Sequence, residues 1–301
     1  MRTYGKRTYR CPENILKDEE MPIIADHLTY VYGAKTSLQT TAIDDISVKI
    51  DDGQFIGLIG HTGSGKTTFL QLISGLVKPT GGTVYINGED IFAKDFDLHS
   101  IRGKVGIVFQ YPEHQLFEET VFKDVCFGPK NMGCDQKETE LRAYEALKLV
   151  GLEDEVFYQS PFDLSGGQKR RVAIAGVLSM KPQVLILDEP TAGLDPAGRK
   201  EILGLIEKLC REQGMTIILV SHSMDDVAEY VDRILVMNDG KLEIDATPRE
   251  VFKHQQELEG FGLSLPQVTK AMISIKESGI PVKTDAITVE EAVNEILRVL
   301  Y

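Results

Sequence analysis

The sequence predicts an α/β fold built around a mainly parallel sheet. Several short runs are wholly apolar, which is typical of strands buried on both faces, and two of them end in polar residues at Asp188 and His222. A glycine-rich segment, Gly60 to Thr68, lies between another apolar run and a pattern that favours a helix. Strand, glycine loop and helix in this order are the setting of a phosphate-binding loop, so the predicted class is a P-loop NTPase core.

The glycine-rich segment reads GHTGSGKTT and fits the pattern G-x-x-x-x-G-K-[ST]. Its glycines allow successive backbone N–H groups to face inward and bind an anion, and the following helix adds partial positive charge. Lys66 can reach the outer phosphates of a nucleoside triphosphate, and the Thr67 hydroxyl suits Mg²⁺. A tight turn is the structural alternative. The predicted phosphate-binding residues are Gly60, His61, Thr62, Gly63, Ser64, Gly65, Lys66, Thr67 and Thr68.

The chain before this loop divides into two parts. Residues 1–20 are polar and without a period, so they form either an ordered extension or a tail that precedes a true start at Met21. Residues 22–50 contain short β-like runs with partial alternation, which predicts an antiparallel β subdomain with one solvated face. Tyr32 in this region could stack on a nucleotide base, although the pattern alone favours ordinary strand packing.

The segment from about 111 to 178 is predicted to be an α-helical subdomain inserted into the sheet core. It follows a strand that ends at Gln110, a residue that could face the ligand crevice or simply make a turn. The run DLSGGQ then begins a helix, where Ser165 to Gln168 form either a second anion site or an ordinary N-cap by Ser165.

Asp188 and Glu189 follow directly on an apolar strand that is predicted to be buried. Two adjacent acids are costly there unless they meet a cation or hydrogen-bond donors. Beside a phosphate loop, the economical interpretation places one acid near Mg²⁺ and one near a water molecule; the alternative is a solvated loop entry. His222 falls at the same sheet edge, and this placement raises the expectation of a functional role for a residue type that is usually structural.

Residues 246–301 are predicted to form a small C-terminal helical extension. Apolar residues at helical spacing occupy 268–275, and a capping-box pattern begins a second helix at Thr288. These apolar stripes either pack on their own domain or contact a dimer partner. The predicted organisation is therefore a polar tail over 1–20, a main domain over 21–245 and this extension.

Composition limits the function classes. The net charge of the 301-residue chain is −13, which disfavours a nucleic-acid partner and direct docking on anionic lipid. The four cysteines are scattered, as in proteins of a reducing cytosol, and indicate neither a disulfide framework nor a zinc site. No apolar run approaches the ~18 residues needed to span a bilayer, and the N-terminus lacks the apolar core of a signal peptide. We therefore expect a cytosolic protein whose membrane role would come through a partner.

The order and spacing of these motifs resemble those of ABC-type ATPases. The likeness covers about 22–242 and rests on the phosphate loop, Gln110, LSGGQ, LILDEP, AGLD at 192–195, and His222. LSGGQ beside a Walker loop is nearly diagnostic of this family. Two longer stretches, VGIVFQYPEHQLFEETVFKDVCFGPKNMG and DLSGGQKRRVAIAGVLSM, look like the ATPase subunits of energy-coupling factor (ECF) transporters, in particular the second of the two paralogous ATPases.

The resemblance implies a role for each matching residue around ATP and Mg²⁺. Thr67, Gln110 and Asp188 would hold Mg²⁺, directly or through water. Glu189 would polarise the attacking water, and His222 would steady the γ-phosphate. The implied catalytic residues are Glu189, His222, Lys66 and Gln110.

Further matching residues are implied to contact the nucleotide base or a second subunit. Tyr32 occupies the place of the family's adenine-stacking aromatic, which reverses the preference from pattern alone. Asp195 would lie at a dimer seam. The residues that would act in trans, on ATP held by the partner's phosphate loop, are Ser165, Gly166, Gly167 and Gln168.

By the same resemblance, the chain is expected to be the ATP-hydrolysing subunit of an importer for vitamins or for cobalt or nickel ions. Its partners would be a second ATPase subunit, a copy or a paralogue, in a head-to-tail dimer, together with a transmembrane coupling subunit and a substrate-binding membrane subunit. The chain would be peripheral, on the cytoplasmic face of the cell membrane.

The amphipathic stretch after Gln110 is the expected docking surface for the coupling subunit. Glu113, Glu118 and Glu119 would rim exposed apolar groups, which suits a groove for cationic helices. The alternative is a loop that packs on its own subdomain. The residues expected at this surface are Tyr111, Pro112, His114, Leu116 and Phe117.

Two other functions fit the sequence less well than transport does. A soluble ABC-type ATPase that remodels nucleic acid or ribosomes is disfavoured by the acidic charge, the single ATPase unit and the lack of a coiled-coil insertion. A nucleotide-dependent interaction module without turnover is disfavoured by the presence of Glu189 and His222.

Overall fold

Two β-sheets organise the structure, a computed structural model that describes residues 22–34 and 36–300. The predictions for residues 1–20 and Met21 lie outside the described residues. The strands are β1 (Ile23–Tyr32), β2 (Thr40–Ile50), β3 (Phe55–Ile59), β4 (Gly81–Ile86), β5 (Glu89–Asp90), β6 (Val105–Val108), β7 (Val184–Asp188), β8 (Thr216–Val220), β9 (Arg233–Asn238) and β10 (Lys241–Ala246).

The larger sheet has the strand order β10-β9-β3-β8-β7-β6. Strands β9, β3, β8, β7 and β6 are parallel to one another, and β10 pairs antiparallel with β9. Strands β3 and β8 are buried along their whole length, as the wholly apolar runs predict. Parallel pairing brings the carboxyl ends of β3, β6, β7 and β8 to one edge, which is where the phosphate loop and the polar strand ends lie.

The smaller sheet is antiparallel, with the order β2-β1-β4-β5. This confirms the antiparallel β region predicted from the alternation over residues 22–50. Strand β1 ends at Tyr32, which pairs with Thr40 at the start of β2. The two sheets share a core that includes Ile43 and Leu58, so the antiparallel region packs directly against the parallel sheet beside the phosphate loop.

The helices mostly follow the predicted pattern. They are α1 (Lys66–Ile73), α2 (His99–Arg102), α3 (Val121–Asn131), α4 (Gln136–Leu149), α5 (Asp154–Phe157), α6 (Gly166–Leu178), α7 (Pro196–Gln213), α8 (Met224–Tyr230), α9 (Pro248–Val251), α10 (Gln255–Gly260), α11 (Gln267–Glu277) and α12 (Val289–Leu300). Helix α1 ends at Ile73. The reason is Gly75, which adopts φ +72° and turns the chain so that the Leu76 N–H donates back to Gln71 O at 2.9 Å.

Helices α3, α4 and α6 pack together in the chain segment between β6 and β7. Their contact faces contribute Val125, Leu147 and Val172 to the main core, each fully buried. The Ser179 hydroxyl, just after α6, donates to Val125 O at 3.0 Å and joins α6 to α3. The segment is therefore largely helical, as the periodicity predicts.

The chain after β10 forms α9 to α12, with a small apolar cluster around Met272 and Val282. The backbone N–H of Gln267, the first residue of α11, donates to the Asp225 carboxylate of α8 at 2.8 Å. The capping box expected at Thr288 differs in one bond, because the Glu291 carboxylate accepts from the Ile287 N–H at 3.0 Å instead of from Thr288.

Candidate nucleotide-binding site

The phosphate loop, residues 60–68, connects the carboxyl end of β3 to the first turn of α1. Gly65 adopts φ +101°, and a Cβ there would lie 2.5 Å from Ala42 O. A Cβ at Gly60 would lie 2.4 Å from Met237 O and 2.5 Å from the Ser64 hydroxyl oxygen. Since real Cβ atoms do not approach so closely, both positions require glycine, and the loop can wrap tightly only with this sequence.

Two neighbouring segments brace the loop from outside. The Gly240 N–H, in the turn between β9 and β10, donates to Ser64 O at 3.0 Å. In turn, Gly240 O accepts from the Asp44 N–H of β2 at 2.9 Å. The sequence does not predict the contact of this turn with the phosphate loop, because local patterns carry no information on which distant segment a turn touches.

Lys66 lies inside the loop with its side chain buried. Its ammonium donates to Gly60 O at 2.7 Å and to His61 O at 2.9 Å. Burial lowers the pKa of Lys66, while the nearby Glu189 and Asp188 carboxylates act in the opposite direction. A cation that burial disfavours gains from an additional anionic partner, so this position suits a phosphate group.

The polar strand ends meet at one edge of the sheet. The His222 Nε2 lies 2.8 Å from one Glu189 carboxylate oxygen. The Gln110 side-chain amide donates to the other oxygen at 3.4 Å, a long hydrogen bond. Glu189 itself has φ +51°, a left-handed conformation that is rare for this residue type. The structure thus brings together Gln110, Glu189 and His222, which follow the carboxyl ends of β6, β7 and β8, respectively.

Asp188 is the last residue of β7 and is only partly exposed. Burial raises its pKa, the adjacent Glu189 raises it further, and Lys66 and His222 lower it. A carboxylate held in this environment is stabilised by a cation. The oxygen donors of Asp188 and Gln110, with the exposed Thr67 hydroxyl at the start of α1, are of the kind Mg²⁺ prefers, so these residues fit Mg²⁺.

Tyr32 lies beside the loop with its side chain 45% exposed. Its hydroxyl lies 3.1 Å from the Thr68 hydroxyl, and its ring meets the Tyr30 ring edge-to-face with centroids 4.9 Å apart. One edge of the ring therefore packs on the strand while much of the ring stays accessible. This placement is compatible with both the stacking and the packing interpretations of Tyr32.

The segment Ser165–Gln168, here called the signature segment, caps helix α6. The Gln168 N–H donates to the Ser165 hydroxyl at 3.3 Å, and the Ser165 N–H donates to the Gln168 side-chain oxygen at 3.1 Å. This reciprocal capping box matches the N-cap interpretation. Ser165 and Gly166 are exposed, with nothing within 4 Å of a Cβ built on Gly166 or Gly167, so an incoming group can reach the N–H groups of this helix start.

Asp195 is exposed and caps α7 by accepting from the Gly198 N–H at 3.0 Å. In the sequence it follows shortly after Glu189, so the same connection carries both residues from β7 to α7.

The prediction that the stretch after Gln110 is an exposed docking surface is partly wrong. Pro112 and Leu116 are buried, and the Glu113 carboxylate forms an ion pair with the buried Arg170 at 2.8 Å. These three residues therefore pack inside the domain. Glu113 does so because a carboxylate beside a buried guanidinium gains more from pairing than from solvent. Tyr111 and Phe117 remain exposed, at 43% and 56%.

Sequence reasoning also missed Arg170. The motifs give it no role, yet among the described residues it is the largest side chain that is fully buried. The signal that could have indicated it is an arginine on an otherwise apolar face of α6, spaced four residues from Ile174 and eight from Leu178.

Comparison with known proteins now adds to this geometry. A model of the ABC transporter family matches residues 43–192. Among solved structures, the dimeric post-hydrolysis ATP-binding cassette bound to ADP and phosphate has a TM-score of 0.67 and 32% identity, covering 75% of this chain and 98% of that one. The fold and site thus define an ABC-type ATPase.

Curated relatives place the chain more specifically within the ABC-type ATPases. The energy-coupling factor transporter ATP-binding protein EcfA2 of Caldanaerobacter subterraneus subsp. tengcongensis is 53% identical over 280 residues, covering 93% of this chain and 98% of the relative. That of Clostridium tetani is also 53% identical, covering 93% and 97%. The structure of cbiO1 from Clostridium perfringens, part of the ABC transporter complex cbiONQ, has a TM-score of 0.72 at 38% identity and covers 85% of this chain and all of that one. The chain belongs to the family of ECF transporter ATP-binding proteins.

Proposed function

We propose that this ATPase subunit of an ECF transporter drives the uptake of vitamins or related micronutrients, or of cobalt or nickel ions, through membrane partners. The observation that carries the proposal is the division of the site. The phosphate loop and the strand-end cluster around Glu189 lie together, whereas the hydrogen bonds of Ser165 and Gln168, within the described part of the chain, stay inside their own helix cap.

In this proposal the phosphate loop binds the phosphates of ATP, and Lys66 pairs with the outer ones. Thr67, Gln110 and Asp188 would hold Mg²⁺, which would neutralise phosphate charge when bound. Glu189 orients and polarises the attacking water.

His222 contacts Glu189 at 2.8 Å and so lies where it can steady the γ-phosphate beside that water. Phosphoryl transfer needs little covalent help from protein, so placement and charge supply most of the rate. Tyr32 stacks on the adenine through its accessible ring face.

The second half of each site comes from another ATPase subunit, a copy or a paralogue, in a head-to-tail dimer. Its signature segment closes over ATP held by this chain, and this chain's Ser165–Gln168 and Asp195 do the same for the partner. ATP binds the closed dimer better than the open one and therefore shifts the population towards closure. Hydrolysis removes the contact made by the γ-phosphate and lets the dimer reopen.

The membrane partners are a transmembrane coupling subunit and a substrate-binding subunit, with this chain peripheral on the cytoplasmic face of the cell membrane. Within the described residues, no helix is long and apolar enough to cross a membrane. The remaining docking candidates are exposed aromatic rings beside an acidic rim. Phe117 and Phe127 meet edge-to-face with centroids 5.0 Å apart, next to Glu118 and Glu119.

Part of this rim is already neutralised, because Glu119 pairs with Lys123 at 2.6 Å. Glu118 is therefore the rim acid best suited to a cationic coupling helix. A nucleic-acid partner is not proposed, because the chain carries a net charge of −13.

The test is to purify the full-length chain from membranes in mild detergent and to identify the proteins that accompany it. We expect a second ATPase and polytopic membrane proteins, and ATP-driven uptake of the micronutrient that the complex binds. The variant Glu118→Lys should reduce this assembly. The control variant Glu145→Lys, in α4 and outside the proposed docking surface, should not. Recovery of the chain without membrane proteins, or full uptake by Glu118→Lys, would contradict the transport proposal or its docking surface, respectively.

A further inference from the structure

Arg170 lies on α6, two residues after the signature segment, and its side chain is 2% exposed. Each of the three guanidinium nitrogens of Arg170 donates to at least one acceptor. Its Nε and Nη2 donate to the Glu113 carboxylate at 2.8 to 3.2 Å. Its Nη1 donates to Pro190 O at 2.9 Å and to Ala192 O at 2.8 Å. One guanidinium therefore joins three chain segments, namely its own helix, the turn that carries Glu113 and residues 190–192.

The backbone end of this network supports the segment that carries Glu189. Pro190 follows Glu189 directly, and Ala192 is three residues after Glu189, where its N–H donates to Glu189 O at 3.2 Å in a tight turn. Glu189 holds φ +51°, a conformation that persists only when its surroundings fix it. The two hydrogen bonds from Arg170 fix the two carbonyls that follow this strained residue.

The carboxylate end supports the segment after Gln110. Glu113 lies in a single 3₁₀ turn, Pro112–Gln115, and this turn begins at Tyr111 with φ +53°. Tyr111 is thus a second strained residue, one position after Gln110. Arg170 holds the chain next to both strained positions, and Gln110 and Glu189 themselves meet at 3.4 Å.

We propose that Arg170 is a positioning residue for ATP hydrolysis, which fixes the backbone that carries the Glu189 carboxylate and ties it to Glu113 after Gln110. This rests on the role of Glu189 in the proposed function. A displacement of the stretch after Gln110 is transmitted to Glu189 through one rigid side chain. Only arginine offers a planar fork that serves a carboxylate and two carbonyls together, so lysine cannot replace it.

A purely structural role predicts something different. Buried ion pairs are often replaceable by apolar side chains without loss of stability, so stability alone does not explain a guanidinium at this position. If Arg170 only filled space, its substitution would alter folding and leave the chemical step intact in the folded fraction. If it positions Glu189, its loss acts on kcat while ATP binding persists.

The test uses the full-length chain in its complex, with the partner ATPase's own site silenced, and measures phosphate release with Mg²⁺-ATP. Arg170→Lys should lower kcat by about 10²-fold with KM for ATP nearly unchanged. The matched control is Arg171→Lys on the same helix. Arg171 also binds a carboxylate, Glu201, and a carbonyl, Val150 O, but away from the site, so its replacement should leave kcat unchanged.

A double substitution separates positioning from a general defect. In a Glu189→Gln background, Arg170→Lys should cause no further loss in single-turnover phosphate release, because it acts through Glu189. Independent losses that multiply, or an unchanged kcat in Arg170→Lys, would overturn the proposal. If Arg170→Lys does not fold, Glu113→Gln serves in its place, with an expected loss of about tenfold and the same lack of additivity.

These outcomes are distinct from those that test the proposed function. Loss of uptake in a complex that still hydrolyses ATP counts against transport and leaves the role of Arg170 standing. Intact hydrolysis by Arg170→Lys in a complex that transports counts against Arg170 alone.

Discussion

The phosphate loop and the signature segment are both glycine-rich helix starts, yet their surroundings differ. The loop is enclosed: added atoms at Gly60 or Gly65 would overlap neighbouring backbone, and the β9–β10 turn holds Ser64. The signature segment is open, with free space around Gly166 and Gly167. In the proposed function the phosphate loop forms one half of a nucleotide site and the signature segment forms the other half of a site in a second subunit. The two segments should therefore respond differently to the same kind of substitution.

The largest effect is expected from the enclosed half. Glu189→Gln keeps the shape of the side chain but removes the charge that, in the proposed function, polarises water, so turnover should fall by about 10²-fold or more while ATP still binds. Phosphate release and ATP-dependent dimerisation on a sizing column measure the two effects. The partner ATPase's own site must be silenced in the same complex, and Glu145→Gln on α4 is the control. Steady-state turnover near the wild-type value would exclude Glu189 as the main water-polarising residue.

A smaller effect is expected from the open half. Gly166→Ala meets no atom within 4 Å in this chain, so the fold should keep or slightly gain stability, as alanine favours helix. Hydrolysis of ATP held by the partner should fall by about tenfold or more, because the added methyl group separates the two halves.

The control for Gly166→Ala is Gly204→Ala, at an exposed position in the middle of α7 with equal free space. It should raise stability by about 0.5–1 kcal/mol and leave turnover unchanged. If Gly166→Ala also leaves every site active, the signature segment does not act in trans.

The two halves also differ in how much of them the sequence could predict. The loop, the strand ends and the helix start were predictable because each is a local pattern whose chemistry depends on adjacent residues. The pairing of Glu113 with Arg170 was not, because the two are 57 residues apart and both types are usually exposed. The brace from Gly240 to Ser64 was missed for the same reason. Local pattern predicted the elements of the fold, and the contacts between distant elements required the structure.

That brace offers an intermediate test. Gly240 has φ +78°, and a Cβ there would lie 2.8 Å from Ala42 O. Gly240→Ala should destabilise the fold by about 1–3 kcal/mol and raise KM for ATP, because it displaces the turn that holds Ser64. Gly133→Ala is the matched control, since Gly133 has φ +83° but nothing within 4 Å of a built Cβ. It should share the conformational penalty and leave KM unchanged; equal KM values in the two variants would show that the brace does not shape the loop.

The smallest effect is expected on thermal stability, from the burial of the Asp188 carboxylate. Asp188 has a pKa raised above 3.8, chiefly by burial and then by Glu189. The folded protein therefore holds this proton at a pH where the unfolded chain has released it, and the contribution of Asp188 to stability falls as pH rises from about the unfolded pKa through the folded one. Asp188→Asn removes this cost, so without nucleotide and Mg²⁺ it should unfold at a higher temperature than the wild type at pH 7 and converge with it in acid.

Thermal unfolding of both proteins across pH measures the effect, and the same variant should lose Mg²⁺-dependent hydrolysis. Asp195→Asn is the control at the open half, because asparagine caps a helix as well as aspartate does, and it should leave the unfolding temperature unchanged. A variant Asp188→Asn that is less stable than the wild type at pH 7 would mean that the Asp188 charge is already satisfied without a cation. Binding of Mg²⁺-ATP would then remove no unfavourable charge burial at Asp188.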